Sequence, residues 1–454
     1  MADSVVGAPA PASNQAVPSP LGAVSAGYRR YALSLLLVIY TLNFLDRQVI
    51  NILAEPIKRD LGLADWQLGM MTGLAFAIFY TILGIPIARY AEKANRPLII
   101  ASSVGAWSLF TMACGAAQNF WQLVLARIGV GIGEAGCSPP AHSLITDYVP
   151  KEKRASAIAF YSIGTPLGAL LGMAMGGLVA DHYGWRAAFL VAGAPGVLMA
   201  LVAAFTLVEP RKKLTADIAA RAAAQISTKA ALAVLMGKKT FWLVAFAASI
   251  KAFVGYGHAP FTASFFFRNH TQEIAELAAG FGLKSAGFLG LALGLIAGTA
   301  GVFGAWFGGV LADKLGARDL RAYVVVPAIA SLITIPVYIF GVLVDSAAAA
   351  IVILAVPAVL GTLWYGPVYA TAQSIVEPHM RATASAVLLF IINLVGLGLG
   401  PVAVGILSDV LAGPFGMGEA EGVRWALIIS TLFGLIAFVL FWQARKTIRE
   451  EMVG

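Results

Sequence analysis

The sequence predicts an all-α integral membrane protein, with twelve transmembrane helices in two six-helix, pseudo-symmetric bundles. Three observations lead there. Of 454 residues, 59% are hydrophobic and only 12% charged, against about 25% charged in a soluble domain. Apolar runs long enough to cross a ~30 Å hydrocarbon core recur along the whole chain. Segments of the first half also return in the second at a nearly constant offset.

Residues 1–27 are rich in Ala, Pro, Ser and Gly and read as a disordered tail. They lack the charged start and apolar centre of a secretory signal. Apolar spans follow at 31–54, 67–89, 97–117, 120–146, 154–180, 185–208, 240–267, 285–312, 321–344, 348–374, 382–411 and 424–444. The domains read as a bundle over 28–208, a polar cytoplasmic linker over 209–239, a bundle over 240–445 and a tail over 446–454. The linker's Ala-rich middle suits a short helix on the membrane surface. Most of the 31 Lys and Arg fall on the N-terminal side of the membrane. The other side holds Lys58, Arg59, Arg186, Arg268, Lys284 and Arg424, while Arg47, Arg127 and Lys251 lie within spans. That asymmetry places both termini in the cytoplasm of a multi-pass protein, in the inner (plasma) membrane if the cell is bacterial. It also accounts for the net charge of +8 without nucleic acid.

Four ionisable residues interrupt the apolar runs of spans one and four. In RIGVGIGEAG, Arg127 and Glu134 stand two turns apart on one face, about 10 Å along the axis. Gly129, Gly131 and Gly133 between them allow a helix or ligand to come close. In NFLDRQVIN, adjacent Asp46 and Arg47 point about 100° apart, with Asn43 one turn earlier on the same polar side. A charge at membrane depth costs roughly 2.5–3.5 kcal/mol on insertion scales, so such groups face a cavity or find a partner. They mark an ion or substrate path; the alternative is a salt bridge that locks two helices.

The repeat is carried by three matches. ARYAEKANRP, Ala88–Pro97, corresponds to GVLADKLGAR, Gly309–Arg318, at an offset of 221 residues. RASAIAF from Arg154 matches RATASAV from Arg381 at 227, and Asp181 matches Asp409 at 228. Two six-helix halves repeated in parallel are the major facilitator architecture. GVLADKLGAR resembles that superfamily's signature loop between the second and third helices of each half. The first copy departs from it at Ala88, Glu92 and Asn95. Asn95-Arg96, RxxxGxGEA over Arg127–Ala135, WYGPV over Trp364–Val368 and RATASAVLLFIINLVGLGLGP over Arg381–Pro401 resemble the Spinster branch. That resemblance implies export of lysophospholipid or sphingosine phosphate, with the proton coupling proposed for some members of the branch.

The residues then take expected roles. Asp46 and Glu134 are the proton-coupling candidates, since burial and a nearby arginine push a carboxylate's pKa in opposite directions. Arg47 and Arg127, with a planar fork suited to phosphate, Asn43, Tyr365, Tyr369 and Asn393 are the substrate-binding candidates. Glycines and prolines of spans five and eleven serve packing, and let those helices bend. A cytoplasmic latch is expected from Glu92, Lys93 and Arg96, from Asp313 with Lys314 or Arg318, and from Asp147; plain positive-inside topology would also explain these charges. Lys251 is expected to snorkel to an interface, and Phe253, Phe261, Phe265 and Phe266 mostly to face lipid.

A charged first half facing an apolar second half suits an amphiphile. The expected partners are the bilayer, an amphiphilic small molecule and protons or sodium, acting on a monomer. Cys114 and Cys137 suggest no disulfide framework, and the five scattered histidines suggest no metal site. No cofactor, catalytic motif or Walker lysine motif is present, so the chain does not read as an enzyme or ATP-driven pump. Two readings compete with the lipid transporter: a proton-coupled multidrug or small-metabolite exporter of the same fold, and a membrane sensor without transport.

Overall fold

The structure, a computed structural model, describes residues 24–91, 94–210, 228–377 and 380–453. Among these, ten helices are long and apolar enough to cross a bilayer. One of them, Arg154–Thr206, is two crossings, because Gly184 takes φ 83° and ψ 165° and turns the chain back. Only a residue without Cβ adopts that backbone freely. A further crossing, residues 120–148, is made in two pieces, Phe120–Glu134 and Ser138–Tyr148. Twelve spans result, and they are numbered here in chain order.

Local chemistry sets the ends. Asn95 and Asn119 accept the Leu98 and Gln122 N–H groups and start spans three and four. Span four breaks after Glu134 because Pro139 and Pro140 have no N–H to continue the ladder. The sequence reads this span as unbroken over 120–146. Span one runs Ala26–Leu61 and span twelve begins at Gly418, each longer than its apolar run. The added turns carry Glu55, Lys58, Arg59, Glu419 and Glu421, charges that find partners outside the hydrocarbon.

One end of the bundle, called proximal, holds both ends of the described chain. There the Tyr28 hydroxyl donates to Thr206 O at 2.9 Å, and the Lys239 N–H donates to Glu451 at 3.0 Å. At the opposite, distal end the first six spans meet the last six in polar contacts. Arg268 of span seven donates from Nη1 and Nη2 to both oxygens of Asp65, at 2.8 and 2.7 Å. Its Nε reaches Glu55 at 2.9 Å. Lys58 bridges Asp65 at 2.9 Å and Glu419 at 3.1 Å. Asp409, closing span eleven, accepts the N–H groups of Asp65 and Trp66 that open span two. Its repeat counterpart Asp181 accepts those of Ala286 and Gly287, which open span eight. Each aspartate therefore places negative charge on the positive N-terminus of a helix from the other half.

Below that layer the halves press backbone to backbone. A Cβ on Gly69 would stand 2.2 Å from Pro401 O. Here a π-wound stretch of span two, Met70–Leu74, faces another in span eleven, Ile392–Leu399. Such wide turns recur at functional positions in helices.

Candidate functional site

Spans one, two, three and four bring the four early charges together. The Arg47 Nε donates to Glu134 Oε2 at 2.6 Å, linking span one to the broken end of span four. The Glu134 side chain is sealed while Arg47 keeps 16% of its exposure, so the arginine is the member that reaches open space. Its guanidinium carbon stands 4.4 Å from the Tyr80 ring centroid, 4.8 Å from Phe76 and 5.2 Å from Phe44. Arg127 lies 5.2 Å from the same Phe76 ring and donates to Met71 O at 3.3 Å. One aromatic ring thus touches two guanidinium groups, a cation–π arrangement that holds like charges in one place.

Asp46 turns away from Arg47, as adjacency on a helix requires, and accepts the Thr111 hydroxyl at 3.2 Å. Its other oxygen, the second oxygen of Glu134 and both amide atoms of Asn43 are buried and make no well-formed hydrogen bond among the described residues, although Asn43 stands beside Glu134 and Trp107 beside Asp46. Buried polar atoms are nearly always fully partnered, so this cluster has donor and acceptor capacity left over. The helix carrying Arg127 and Glu134 sits this close because Gly131 and Gly133 lack side chains. A Cβ on them would meet Phe76 O and the Trp107 N at 2.6 Å each.

The second half faces this cluster with hydroxyls. Tyr256 is an electrostatic neighbour of both Arg47 and Tyr80, and Tyr365 of both Tyr256 and Tyr369. Tyr369 also comes within range of Tyr40 and Tyr80 across the halves. Tyr365 and Tyr369 therefore join the Arg47 surroundings. Asn393 is half-buried on the π stretch of span eleven and makes no side-chain hydrogen bond among the described residues. Sequence reasoning passed over Tyr40, Tyr80, Phe76 and Tyr256. Tyr40 could have been found, because it stands two turns before Arg47 on the same helical face.

Of the loop residues expected to form a latch, Arg96 and Asp147 do meet. Glu92 and Lys93 lie outside the described residues. Arg96 is fully buried and donates to Asp147 at 2.7 Å, to Ser143 at 2.9 Å and to Glu209 through Nε at 3.0 Å. A further Nη2 contact also reaches Glu209. These partners all belong to the first six spans or to the residues that directly follow span six. Asp313 accepts the Tyr323 hydroxyl at 2.8 Å rather than pairing with Lys314 or Arg318, because Tyr323 packs over the end of span eight at Gly316. Lys251, expected at an interface, is instead buried, since span seven begins at Lys239 and carries residue 251 too deep to snorkel. His258, two turns on, contacts Ser430 Oγ at 2.9 Å and stacks on Tyr338, a satisfied interior histidine. Phe261, Phe265 and Phe266 are fully buried in the core and do not face lipid. Among the described residues no cluster of His, Cys, Asp and Glu could hold a metal ion.

Twelve spans in two facing sets, with ionisable side chains held at mid-depth, define a membrane transport protein rather than an enzyme. The chain belongs to the Major Facilitator Superfamily, whose model matches residues 36–401. It is similar to an MFS-type efflux pump of Mycolicibacterium smegmatis, 32% identical over 422 residues, 93% of this chain and 94% of that one. It is also similar to protein spinster homolog 3 of Danio rerio, 27% identical over 96% of this chain and 89% of the relative. Among solved structures, a bacterial homolog to the human lysosomal transporter Spinster, inward-facing and occupied, matches with TM-score 0.83 at 32% identity. The match covers 95% of this chain and 100% of that one. The unoccupied inward-facing form of that homolog matches with TM-score 0.82.

Proposed function

We propose that the protein is a proton-coupled secondary transporter for an amphiphilic, lipid-like substrate of the lysophospholipid or sphingosine-phosphate class, working by alternating access. Both termini are cytoplasmic in this reading, so the tied distal end faces outward and the chamber opens inward. The two halves, 28–208 and 240–445, rock about the Arg47 cluster. The observation that carries the reading is the Arg47–Glu134 pair, one member sealed and the other reaching open space.

A proton bound by Glu134 neutralises the carboxylate and releases the Arg47 guanidinium. The freed fork then takes the substrate's phosphate in two parallel N–H···O bonds. When Glu134 loses its proton to the other side, Arg47 returns to it and the phosphate leaves. Asp46, buried one helical face away, is the second proton carrier. Arg127 and Asn43 hold the charged head, and the tyrosines of spans seven and ten line the passage of the apolar tail. A membrane potential supplies about 2.3 kcal/mol per proton per 100 mV, sufficient for a modest gradient.

The efflux-pump relative favours a second reading, a proton-coupled drug or metabolite exporter of the same fold. Proteoliposomes loaded separately with a lysophospholipid and a lipophilic cation, under an imposed pH or sodium gradient, separate the two. The lipid reading expects pH-driven lysolipid movement that is lost in Asp46→Asn. Movement of the cation alone overturns it in favour of the exporter.

A further inference from the structure

We propose that a groove on the outer face of the second six spans, near the proximal end, binds a membrane phospholipid with an anionic headgroup. It is a cavity of about 620 Å³ bounded by spans eight, nine and ten, and it includes none of the residues around Arg47. Its apolar wall includes Phe307, Leu311, Val325, Ile329 and Ile333. Its proximal end carries Arg318, Arg321 and Arg445. From Arg321 to Ile333 the helix rises about 18 Å, close to the ~15 Å depth of one leaflet's hydrocarbon. The groove is therefore apolar over the depth of an acyl chain and basic where a headgroup sits.

The arginines distinguish it from an ordinary lipid-facing surface. None of the three forms an ion pair among the described residues, and the Nε atoms of Arg321 and Arg445 are buried without a hydrogen-bond partner. Asp319, the one carboxylate on the groove, pairs with Arg449 at 2.9 Å and accepts the Arg321 N–H at 2.9 Å, and the Arg321 guanidinium feels its charge without forming an ion pair. Arg445 lies with its guanidinium carbon 4.1 Å from the Trp442 ring centroid, so the ring occupies one face and leaves the N–H edge to an anion. The loop arginine of the first half offers the contrast: Arg96 spends its donors on Asp147, Ser143 and Glu209. Three guanidinium groups with donors to spare at one groove mouth complement a phosphate, and basic pockets between transmembrane helices hold anionic headgroups in this way.

The test is native mass spectrometry of the full-length protein released from nanodiscs containing equal phosphatidylglycerol and phosphatidylcholine of one chain length. The parent is expected to retain phosphatidylglycerol about tenfold over phosphatidylcholine. The double variant Arg321→Gln, Arg445→Gln is expected to lose that preference. Val325→Trp, which fills the apolar wall and keeps the charges, is expected to lose retention of both lipids. Equal retention of the two lipids by the parent overturns the proposal, as does undiminished preference in the double variant or undiminished retention in Val325→Trp. Displacement of the bound lipid by free glycerol phosphate at equal concentration also overturns it, since the site would then recognise the ion and not the lipid.

Discussion

The two ends of the bundle differ in where charge joins the halves among the described residues. At the distal end ion pairs join the halves, Arg268 to Glu55 and Asp65 and Lys58 to Glu419, alongside pairs within one half such as Lys58–Asp65 and Arg186–Asp60. At the proximal end the Arg96 cage, the Lys239–Glu451 contact and the Arg449–Asp319 pair each stay within one half. A contact within a half moves with it and survives any rocking. A contact between halves must break for the distal end to open. The distal pairs that cross between halves therefore bias the conformational equilibrium, whereas a pair within one half biases the stability of that half.

The largest test of that contrast removes Arg268. Its side chain is only 4% exposed, and those of Glu55 and Asp65 are 3% and 1% exposed. Breaking a buried pair by deleting one partner costs about 3–5 kcal/mol, more than a hundredfold in an equilibrium. Arg268→Ala is expected to expose Leu411→Cys, buried at the distal end, to an impermeant maleimide at least a hundred times faster. Arg96→Ala, which also removes a buried partner of two carboxylates, should lower thermal stability by about 3 kcal/mol. It should leave distal labelling unchanged; faster labelling would mean the cage also governs opening.

Smaller effects sharpen the same point. Asp409→Asn keeps one acceptor of the two that cap span two and should cost about 1 kcal/mol. That is roughly a fivefold rise in distal labelling, and no rise would remove the cap from the lock. The smallest effect lies outside the membrane. Glu273 accepts the Ala347 N–H at 2.6 Å and the Ser346 hydroxyl at 2.8 Å. The Ala347 N–H, then Ser346, hold its carboxyl below the usual range. A depressed acid contributes stability above its unfolded pKa, near 4.3, and loses it as pH falls through the folded value. The melting temperatures of the parent and Glu273→Gln should therefore differ at pH 7 and converge on acidification below pH ~4.

Much of the architecture was legible because hydrocarbon imposes a simple rule on composition. Long apolar runs are crossings, and a charge inside one stands out, which is how Asp46, Arg47, Arg127 and Glu134 drew attention. Which arginine would meet Glu134 was not legible. Arg127 shares its helix and face, yet Arg47 from span one takes the bond, because packing between helices decides partners. The distal lock was hidden for a related reason: Glu55, Lys58, Asp65 and Arg268 look like ordinary flanking charges. The Asp181 and Asp409 repeat was visible, but its use, capping a helix of the opposite half, needed the fold. The π stretches of spans two and eleven leave no period in the sequence to read.

The most direct measurement on the Arg47–Glu134 pair compares two assays of Glu134→Gln in proteoliposomes. One is lysophospholipid accumulation driven by an imposed pH gradient; the other is exchange of labelled for unlabelled lysophospholipid with no gradient. Glutamine cannot carry a proton but can still accept from Arg47. The expected result is loss of gradient-driven accumulation with exchange retained. Accumulation equal to the parent would contradict a coupling role for Glu134.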